Sequence, residues 1–523
     1  MKKFDAVIFT DYTQAWFVRK PLGAYAIANV LRGRGYQVLV VDHLHTYDLD
    51  EISGLLDLCI SDKTKFVGFS VGFFASTNNK PYDKIEIQDL GAMNLNQSFF
   101  PQGFEFEQQF VHKLQSLNSN CKIVLGGANP WLHQISNRNV DFTIIGFAEI
   151  SIVSLMQHLC TGQAMEQIHS YRNLYGITVI DGGNAEGYPF NQNHMTWLPE
   201  DVVNAKVLPI ELSRGCIFNC KFCATPLRGK SNNDHLRLTH STQQELQQNF
   251  DLYGVKHYYI MDETFNDNNE KLDQLVLAVK TLNFQPVFWC YARLDWLHNN
   301  FEQIDKMYEI GVRFIFFGIE TFSKTAGRAI GKGMQADRQI DTIKRIRAKY
   351  GNQIVLHGNF IIGLPGETVS SVKNTMQGLN CGDIPLHSWY FNVLKIQKGA
   401  THWSSDIDRN YAKYGYRELD GVAQTRLDAL MQKEYLDMGG TAGISYMPWQ
   451  TDTMNYLQAV LLARTHVPPD TKLWSMDLVE YGYDVDGILE LDHILKLQPW
   501  GQLKLAKVQQ YKKQLVDILT TAA

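Results

Sequence analysis

Two successive series of short apolar runs alternate with helical segments, and this alternation restricts the fold more than any other feature. The first series is rich in Val, Ile and Phe, with runs at 5–10, 37–42, 66–71, 122–127 and 141–146. Short runs that are apolar throughout are typical of parallel strands buried on both faces. A helical segment between the first two runs stops at Gly35. We therefore predict a doubly wound, Rossmann-like α/β domain over residues 1–160.

A second series follows a connector that we predict at residues 161–205. Its six runs lie at 207–212, 257–261, 287–291, 312–319, 354–362 and 388–396. The intervals between them leave room for helices, so the pattern predicts a partial (β/α)6 barrel over residues 206–401. Residues 402–523 are predicted to form a mainly helical region, to which the pattern assigns no chemistry.

Composition and charge narrow the classes of partner. The chain has 49 basic and 54 acidic residues and a formal net charge of -5, whereas nucleic-acid binders usually show a basic excess. No apolar stretch reaches the about 20 residues of a membrane span, and the N-terminal apolar run is too short for a secretory signal. We expect a cytoplasmic protein that acts on a small molecule or peptide, without nucleic acid or membrane as partner.

Three of the eight cysteines, Cys216, Cys220 and Cys223, form a CxxxCxxC motif directly after the first run of the second series. The loop leaves the carboxyl end of a predicted strand, where barrel enzymes build their active sites. Thiolates bind zinc or iron–sulfur clusters. A cubane takes four ligands, so three cysteines would leave one position open for chemistry. The alternative is a structural zinc site completed by His235 or His240.

Residues 207–400 resemble the radical S-adenosylmethionine (SAM) superfamily. The resemblance is carried by the cysteine motif and by segments at 261–265 (MDETF), 317–321 (FGIET) and 358–368 (GNFIIGLPGET). It implies a [4Fe–4S] cluster on the three cysteines and SAM bound at the open iron. We assign SAM contacts to Phe222, Asp262, Glu263, Thr264, Arg293, Glu320, Asn359 and Gly363.

These SAM contacts have a physical rationale. Asp262 and Glu263 would accept charge-assisted hydrogen bonds from the ammonium group of SAM. The glycines of the 358–368 segment would let the backbone approach a flat adenine. One segment departs from the family pattern, because residues 397–401 read QKGAT where related chains often carry a proline-glycine-threonine step.

Residues 5–160 resemble the cobalamin-binding domain that precedes the barrel in one branch of this superfamily. The resemblance is carried by segments at 21–38, 67–70, 124–130 and 144–149. The predicted cobalamin contacts are Gly68, Ser70, Phe73, Gly126, Gly127 and Gly146. The chain lacks an Asp-x-His-x-x-Gly run, so the resemblance implies cobalamin without a protein nitrogen below cobalt. The alternative is a flavodoxin-like domain without a ligand.

The pairing of these two resemblances implies methylation of an unactivated carbon. One SAM would methylate cobalamin, and a second would be cleaved to a 5′-deoxyadenosyl radical that abstracts hydrogen from the substrate. An electron donor such as flavodoxin or ferredoxin would reduce the cluster. Two alternatives stay open: a non-methylating enzyme with the same cofactors, which cyclises, contracts or oxidises its substrate, and a non-catalytic, metal-stabilised binding protein.

Aromatic residues crowd the runs of the second series, among them Tyr259, Trp289 and Phe316. We interpret them as core packing and not as a substrate cage. We also interpret His357 and His387, which lie on or beside predicted strand ends, as structural, although histidine often transfers protons in enzymes.

Overall fold

The computed structural model describes most of the chain. The described residues are 4–11, 19–71, 98–100, 102–127, 135, 137–165, 169–173, 175–183, 187–225, 227, 229, 235–397, 404–419, 446–465, 477–482, 484–486 and 500–521. Phe73, predicted to contact cobalamin, lies outside these residues, as does most of the 73–105 insertion.

The first sheet has seven strands: β1 (Ala6–Thr10), β2 (Val38–Val41), β3 (Phe66–Ser70), β4 (Lys122–Gly127), β5 (Phe142–Gly146), β6 (His169–Arg172) and β7 (Thr178–Gly183). Their order is β2-β1-β3-β4-β5-β7-β6, and all pairs are parallel except β6 with β7. Four helices accompany this sheet: α1 (Leu22–Arg32), α2 (Leu49–Cys59), α3 (Phe104–Leu117) and α4 (Glu149–Thr161).

Strands β1 to β5 of the first sheet are largely buried on both faces, as the uninterrupted apolar runs predict. Ala6 and Ile8 of β1 pack toward α1 and α4, whereas Val7 and Phe9 pack toward α2 and α3. Residues 161–205, predicted as a connector, contribute β6 and β7 to the edge of this sheet. All four residues of β6 are exposed, so β6 lacks the apolar pattern by which the other strands were found. In β7 only Val179 and Ile180 are buried.

The second sheet has six parallel strands: β8 (Val207–Ile210), β9 (His257–Ile260), β10 (Val287–Ala292), β11 (Val312–Glu320), β12 (Val355–Ile362) and β13 (Ser388–Val393). They follow one another in chain order. The helices between them are α5 (Thr239–Tyr253), α6 (Asn269–Lys280), α7 (Leu294–Asn299), α8 (Gln303–Glu309), α9 (Lys324–Ala329), α10 (Ala336–Tyr350) and α11 (Val369–Asn380). These six units confirm the predicted α/β fold class and its partial barrel.

The C-terminal region contains the short strands β14 (Ile396–Gln397), β15 (Arg417–Glu418), β16 (Tyr446–Met447) and β17 (Trp449–Gln450). Its helices are α12 (Asp406–Asn410), α13 (Tyr456–Thr465), α14 (Asp477–Glu480) and α15 (Trp500–Thr521). Trp449 packs beside Ile362 at the end of β12. In contrast, Leu515 of α15 packs on the first sheet. The region therefore contacts both sheets.

Candidate active site at the carboxyl ends of the two sheets

The loop after β8 carries the three predicted cluster ligands. Cys216 and Cys220 are buried, Cys223 is half-buried, and all three thiols are free. The loop is held at its start, where the Cys216 N–H donates to the Leu227 carbonyl oxygen over 3.2 Å. Gly215 has φ +75°, and a Cβ there would lie 2.5 Å from the Cβ of Leu227. The close approach requires glycine at this position.

Two of the three sulfurs each accept one hydrogen bond. Arg293 Nη1 donates to Cys220 Sγ over 3.1 Å, and the Thr225 N–H lies 3.4 Å from Cys223 Sγ. The third thiol, Cys216, lies 3.5 Å from Thr264 Oγ1, and its burial raises its pKa. A cationic donor and a backbone N–H suit sulfurs that carry negative charge. These three free thiols on one loop therefore fit a cluster.

The sulfurs do not meet at one point. Among the described residues, no group of three His, Cys, Asp or Glu side chains is arranged to hold a single metal ion. In a cubane each cysteine binds a different iron, so a common point is not required of the three thiols.

Asp262 and Lys271 form a buried network beneath the cysteine loop. Asp262 Oδ1 accepts from the backbone N–H groups of Leu212 and Ser213 over 2.8 and 3.1 Å, and Oδ2 accepts from Ser213 Oγ over 2.8 Å. Lys271 Nζ lies 3.1 Å from Asp262 Oδ2 and 2.7 Å from Asp267 Oδ1. Both Asp262 oxygens are thus engaged within the protein. The prediction of an ammonium contact fits Glu263 better than Asp262.

Glu263 is exposed at the surface, unlike Asp262. Displacement of water by the surrounding protein, together with the nearby carboxylates of Asp262 and Glu211, raises its pKa to about 7. A carboxyl group in such a position gains most from a cationic partner, because the partner restores its charged form. Glu263 therefore has the electrostatic character of a site for an ammonium group.

Glu320 ends β11 in an unusual backbone conformation. Its φ is +67°, and the pairing of β11 with β12 shifts register between Gly318 and Glu320. Positive φ is rare for residues other than glycine, and bulges re-aim side chains near active sites. Glu320 Oε1 lies 3.1 Å from Lys332 Nζ, and Glu320 Oε2 lies 3.5 Å from Asn359 Nδ2. The structure thus brings the two predicted SAM contacts Glu320 and Asn359 together.

Gly363 has a neighbour that the sequence did not indicate. Its φ is +93°, and the space that a Cβ would need is filled by the indole ring of Trp449. The Gly363 N–H donates to Glu367 Oε2 over 2.9 Å, and its carbonyl oxygen accepts from Tyr416 OH over 2.7 Å. Phe222 packs against the same apolar cluster as Trp449. Gly363 therefore packs closely against the C-terminal region, and its predicted contact with adenine stays a prediction.

The predicted cobalamin residues lie mostly at the carboxyl edge of the first sheet. Ser70 pairs with Gly126, and Gly127 pairs with Ile145 next to Gly146. The φ values of Gly127 and Gly146 are +143° and +88°, which favour glycine. Gly68 differs, because it is buried within β3. A Cβ added at Gly68 would lie 3.2 Å from the Phe66 ring. Four of these residues therefore share the edge, and Gly68 serves packing inside the sheet.

A buried ion pair joins the cysteine loop to the first sheet. Arg214 Nη2 lies 2.5 Å from Oε1 of Glu149, the first residue of α4, and Arg214 Nε donates to Glu211 Oε1 over 2.9 Å. The Phe147 and Phe190 rings each lie 4.7 Å from the guanidinium carbon. Sequence reasoning missed Arg214, although it stands two residues before Cys216. The only available signal was an arginine beside the motif, which does not reveal its partner.

A family model describes the barrel. Residues 210–379 match the model of the radical SAM superfamily. This segment, which begins at the end of β8 and includes all three cysteines, therefore belongs to that superfamily. Membership implies a [4Fe–4S] cluster and SAM.

Relatives and solved structures extend the likeness beyond the barrel. An uncharacterized methyltransferase of Pyrococcus horikoshii is 27% identical over 351 residues, which cover 62% of this chain and 73% of that protein. The fold is similar to that of the radical SAM methyltransferase TsrM of Kitasatospora setae, solved with cobalamin and a [4Fe–4S] cluster. That match covers 99% of this chain and 100% of TsrM, with 12% identity and a TM-score of 0.59.

The cobalamin-dependent SAM radical enzyme OxsB, solved with aqua-cobalamin, is similar as well. It is 16% identical, with a TM-score of 0.58, and the match covers 88% of this chain and 66% of OxsB. Both matches span most of this chain, so the likeness in fold includes the first sheet as well as the barrel. Within the described residues, no helix has the length and apolar character needed to cross a membrane.

Proposed function

We propose that the protein is a cobalamin-dependent radical SAM methyltransferase that methylates an unactivated carbon of a small molecule or peptide. The buried contact between Arg214 and Glu149, 2.5 Å from Nη2 to Oε1, carries the proposal. It links the loop with the cluster cysteines to the helix that follows the glycine edge of the first sheet. Two cofactors that serve one substrate must be held close together, and this contact joins the elements that would hold them.

The residues that would hold each group can be named from their chemistry. Cys216, Cys220 and Cys223 would bind the cluster, and Ser70, Gly126, Gly127 and Gly146 would line the face of cobalamin. When bound, the cluster would supply the electron that cleaves SAM, and cobalamin would carry the methyl group. An electron donor such as flavodoxin or ferredoxin would reduce the cluster.

The chain's own residues would position SAM and tune the charge around it. Glu263, with its pKa raised to about 7, would hold the ammonium group and be ionised by it. Glu320, fixed by Lys332 over 3.1 Å, would accept from hydroxyl or amino groups. Arg293 would compensate the negative charge of the Cys220 thiolate.

The comparisons support the methyl-transfer outcome. The Pyrococcus horikoshii relative and TsrM are both named as methyltransferases, and TsrM was solved with both groups bound. A non-methylating enzyme with the same cofactors would use the same architecture. The two functions differ in their products and not in the residues that hold the cofactors.

The test is a count of products from anaerobic turnover with SAM, a reductant and a panel of candidate substrates. Methyl transfer predicts S-adenosylhomocysteine and 5′-deoxyadenosine together, and Cys220→Ala should abolish deoxyadenosine. Deoxyadenosine without S-adenosylhomocysteine would indicate the non-methylating alternative. Activity retained by Cys220→Ala would contradict both enzymatic functions. A matched control is Cys290→Ala, which alters a buried cysteine outside the motif.

A further inference from the structure

The inner face of the barrel carries a continuous layer of aromatic rings. Trp289 and Tyr291 of β10 lie with their centroids 4.6 Å apart, and Tyr291 lies 4.9 Å from Phe316 of β11. Phe316 stacks on His357 of β12 at 4.6 Å, and His357 lies 5.4 Å from Tyr390 of β13. The layer therefore crosses four neighbouring strands. We call it the aromatic floor.

The aromatic floor is distinct from the core behind it. Residues that alternate with it, such as Phe288, Phe317 and Phe360, pack on the opposite face against the helices. At the Trp289 end of the floor, Trp289 and Phe314 pack with Leu478 of α14, which covers that end of the inner face. The interpretation of the aromatic residues as core packing holds for the outer face and for Trp289, which is buried, but it does not account for Tyr291 and Phe316, which are only partly buried.

The rings of the floor farther from α14 are partly accessible to solvent. Tyr390 is 43% exposed, and Tyr291 and Phe316 are half-buried. Aromatic rings of this size normally bury their apolar area in the core. Rings left partly open on the inner face of a barrel are typical of the apolar wall of a ligand site. Tyr291 stands two residues before Arg293, whose guanidinium contacts Cys220 Sγ over 3.1 Å, so these rings lie near the cysteine loop.

The floor also contains a polar atom, His357 Nε2, that could bind a ligand. His357 Nδ1 lies 2.6 Å from Ser388 Oγ, whereas Nε2 is buried and has no hydrogen-bond partner among the described residues. Burial lowers the pKa of His357 to about 3, so the ring is neutral. Buried polar atoms in proteins usually have partners. A neutral ring can either donate or accept at Nε2, according to its tautomer.

A cation from the first domain reaches the same layer. The guanidinium carbon of Arg19 lies 4.0 Å above the Tyr259 ring and 5.3 Å from the Trp289 ring. Trp289 contacts Tyr291, so the positive charge lies one ring away from the open part of the floor. Guanidinium groups recognise carboxylates through paired hydrogen bonds and also stack on aromatic faces.

We propose that the aromatic floor binds a planar, conjugated substrate that carries a carboxylate. The ring system would stack on Tyr291, Phe316 and Tyr390, and the carboxylate would turn toward Arg19. His357 Nε2 would exchange a hydrogen bond with a polar atom of the substrate. Apolar rings select a flat partner by stacking, and the arginine selects its charge. This assignment rests on the proposed function only insofar as it names the substrate class of that enzyme.

The test is calorimetric titration of the full-length chain with three probes. Naphthalene-2-carboxylate has both features, naphthalene-2-carboxamide lacks the charge, and cyclohexanecarboxylate lacks the flat ring. We expect naphthalene-2-carboxylate to bind at least tenfold more tightly than either of the others. Phe316→Leu should weaken its binding at least tenfold, and Arg19→Met should abolish the preference for carboxylate over carboxamide.

Two outer-surface variants serve as matched controls. Phe250→Leu removes a ring stacked on Phe284 at 4.2 Å, and Arg345→Met removes a guanidinium 3.8 Å above the Phe301 ring. Neither should change the binding of naphthalene-2-carboxylate. Equal affinity of the wild-type chain for naphthalene-2-carboxylate and cyclohexanecarboxylate, or no measurable binding of any probe, would overturn the proposal.

The binding test and the product test fail independently. Selective binding of naphthalene-2-carboxylate without formation of S-adenosylhomocysteine in any turnover would leave the site standing and remove the proposed methyl transfer. Methyl transfer to a saturated substrate, in a chain that does not bind the aromatic probes, would support the methyl transfer and remove the proposed aromatic site.

Discussion

Arg214 and Glu149 form an ion pair of 2.5 Å in which both side chains are almost completely buried, 5% and 4% exposed. The pair joins two separate sheets, because Arg214 precedes the cysteines after β8 and Glu149 follows β5. Glu211 shares the guanidinium through two hydrogen bonds of 2.9 and 3.1 Å. One arginine thus neutralises two carboxylates between the domains.

Removal of Arg214 should destabilise the protein strongly. Arg214→Gln would leave the buried Glu149 carboxylate and the partly exposed Glu211 carboxylate without their cation. Breaking a buried pair in this way costs about 3–5 kcal/mol. Urea unfolding of the apoprotein should show this loss in the free energy of unfolding. Arg417→Gln, which breaks an exposed pair with Asp452, should change it little. A loss below about 1 kcal/mol for Arg214→Gln would contradict the assigned role.

Arg293 should tune the cluster. Its guanidinium donates to Cys220 Sγ over 3.1 Å and stacks on the Phe218 ring at 3.7 Å. A nearby positive charge favours the reduced cluster, which carries one more negative charge. Arg293→Met should therefore lower the reduction potential by about 60 mV, or ~1.4 kcal/mol for one electron, comparable with one charge-assisted hydrogen bond.

A potentiometric titration followed by electron paramagnetic resonance would measure this shift. Arg293→Lys keeps the charge and should show a smaller one. A potential unchanged in both variants, with full iron content, would show that Arg293 does not act on the cluster.

Glu367 should make stability fall as pH rises. The side chain is buried, accepts from Thr321 Oγ1 over 2.7 Å and from the Gly363 N–H over 2.9 Å, and has a pKa raised to about 7 by its burial. The unfolded chain releases this proton near pH 4.5 and the folded chain only near pH 7. The folded state therefore binds more protons between these values, and its stability falls there as pH increases.

Glu367→Gln keeps a neutral side chain of the same shape at all pH values. Between pH 4.5 and 7 the free energy of unfolding should therefore fall by about 3 kcal/mol less in the variant than in the wild type. Urea unfolding of the apoprotein across that range would measure the difference. An identical pH dependence in wild type and variant would show that Glu367 does not retain its proton in the folded state.

Substitution by alanine should destabilise the protein far more at Gly363 than at Gly415, a glycine with a similar backbone conformation. Gly363→Ala would place a methyl group inside the Trp449 indole at φ +93°. We expect a loss of about 2–4 kcal/mol, because overpacking adds to the backbone strain. Gly415 has φ +83° but open space around it, so Gly415→Ala should cost only about 1 kcal/mol. Equal thermal shifts for the two variants would contradict the assigned contact between Gly363 and Trp449.

The strands of both sheets, except β6 and β7, could be predicted because their apolar runs are short and continuous. The predicted run 122–127 coincides with β4, and the run 312–319 ends one residue before Glu320, the last residue of β11. The cysteine motif was visible because its spacing and its position after a strand are both local features of the sequence. Local patterns therefore sufficed for all strands of the two sheets but β6 and β7, and for the cluster loop.

Contacts between distant segments could not be predicted in the same way. Trp449 fills the space beside Gly363, Glu149 pairs with Arg214, and α15 returns to the first sheet, and in each case the partners lie far apart in the chain. Asp262 and Glu263 are neighbours in one motif, yet one is committed to the backbone of the cysteine loop and the other is open. Only three-dimensional packing distinguishes them.

The most direct test of the two-cofactor account is a count of iron, sulfide and cobalt after anaerobic reconstitution with hydroxocobalamin. The account predicts about four irons and one cobalt per chain, with an absorbance spectrum that shows both groups. Cys220→Ala should lose iron and keep cobalt. Four irons without cobalt would retain the radical SAM enzyme but contradict the cobalamin-dependent methyltransferase.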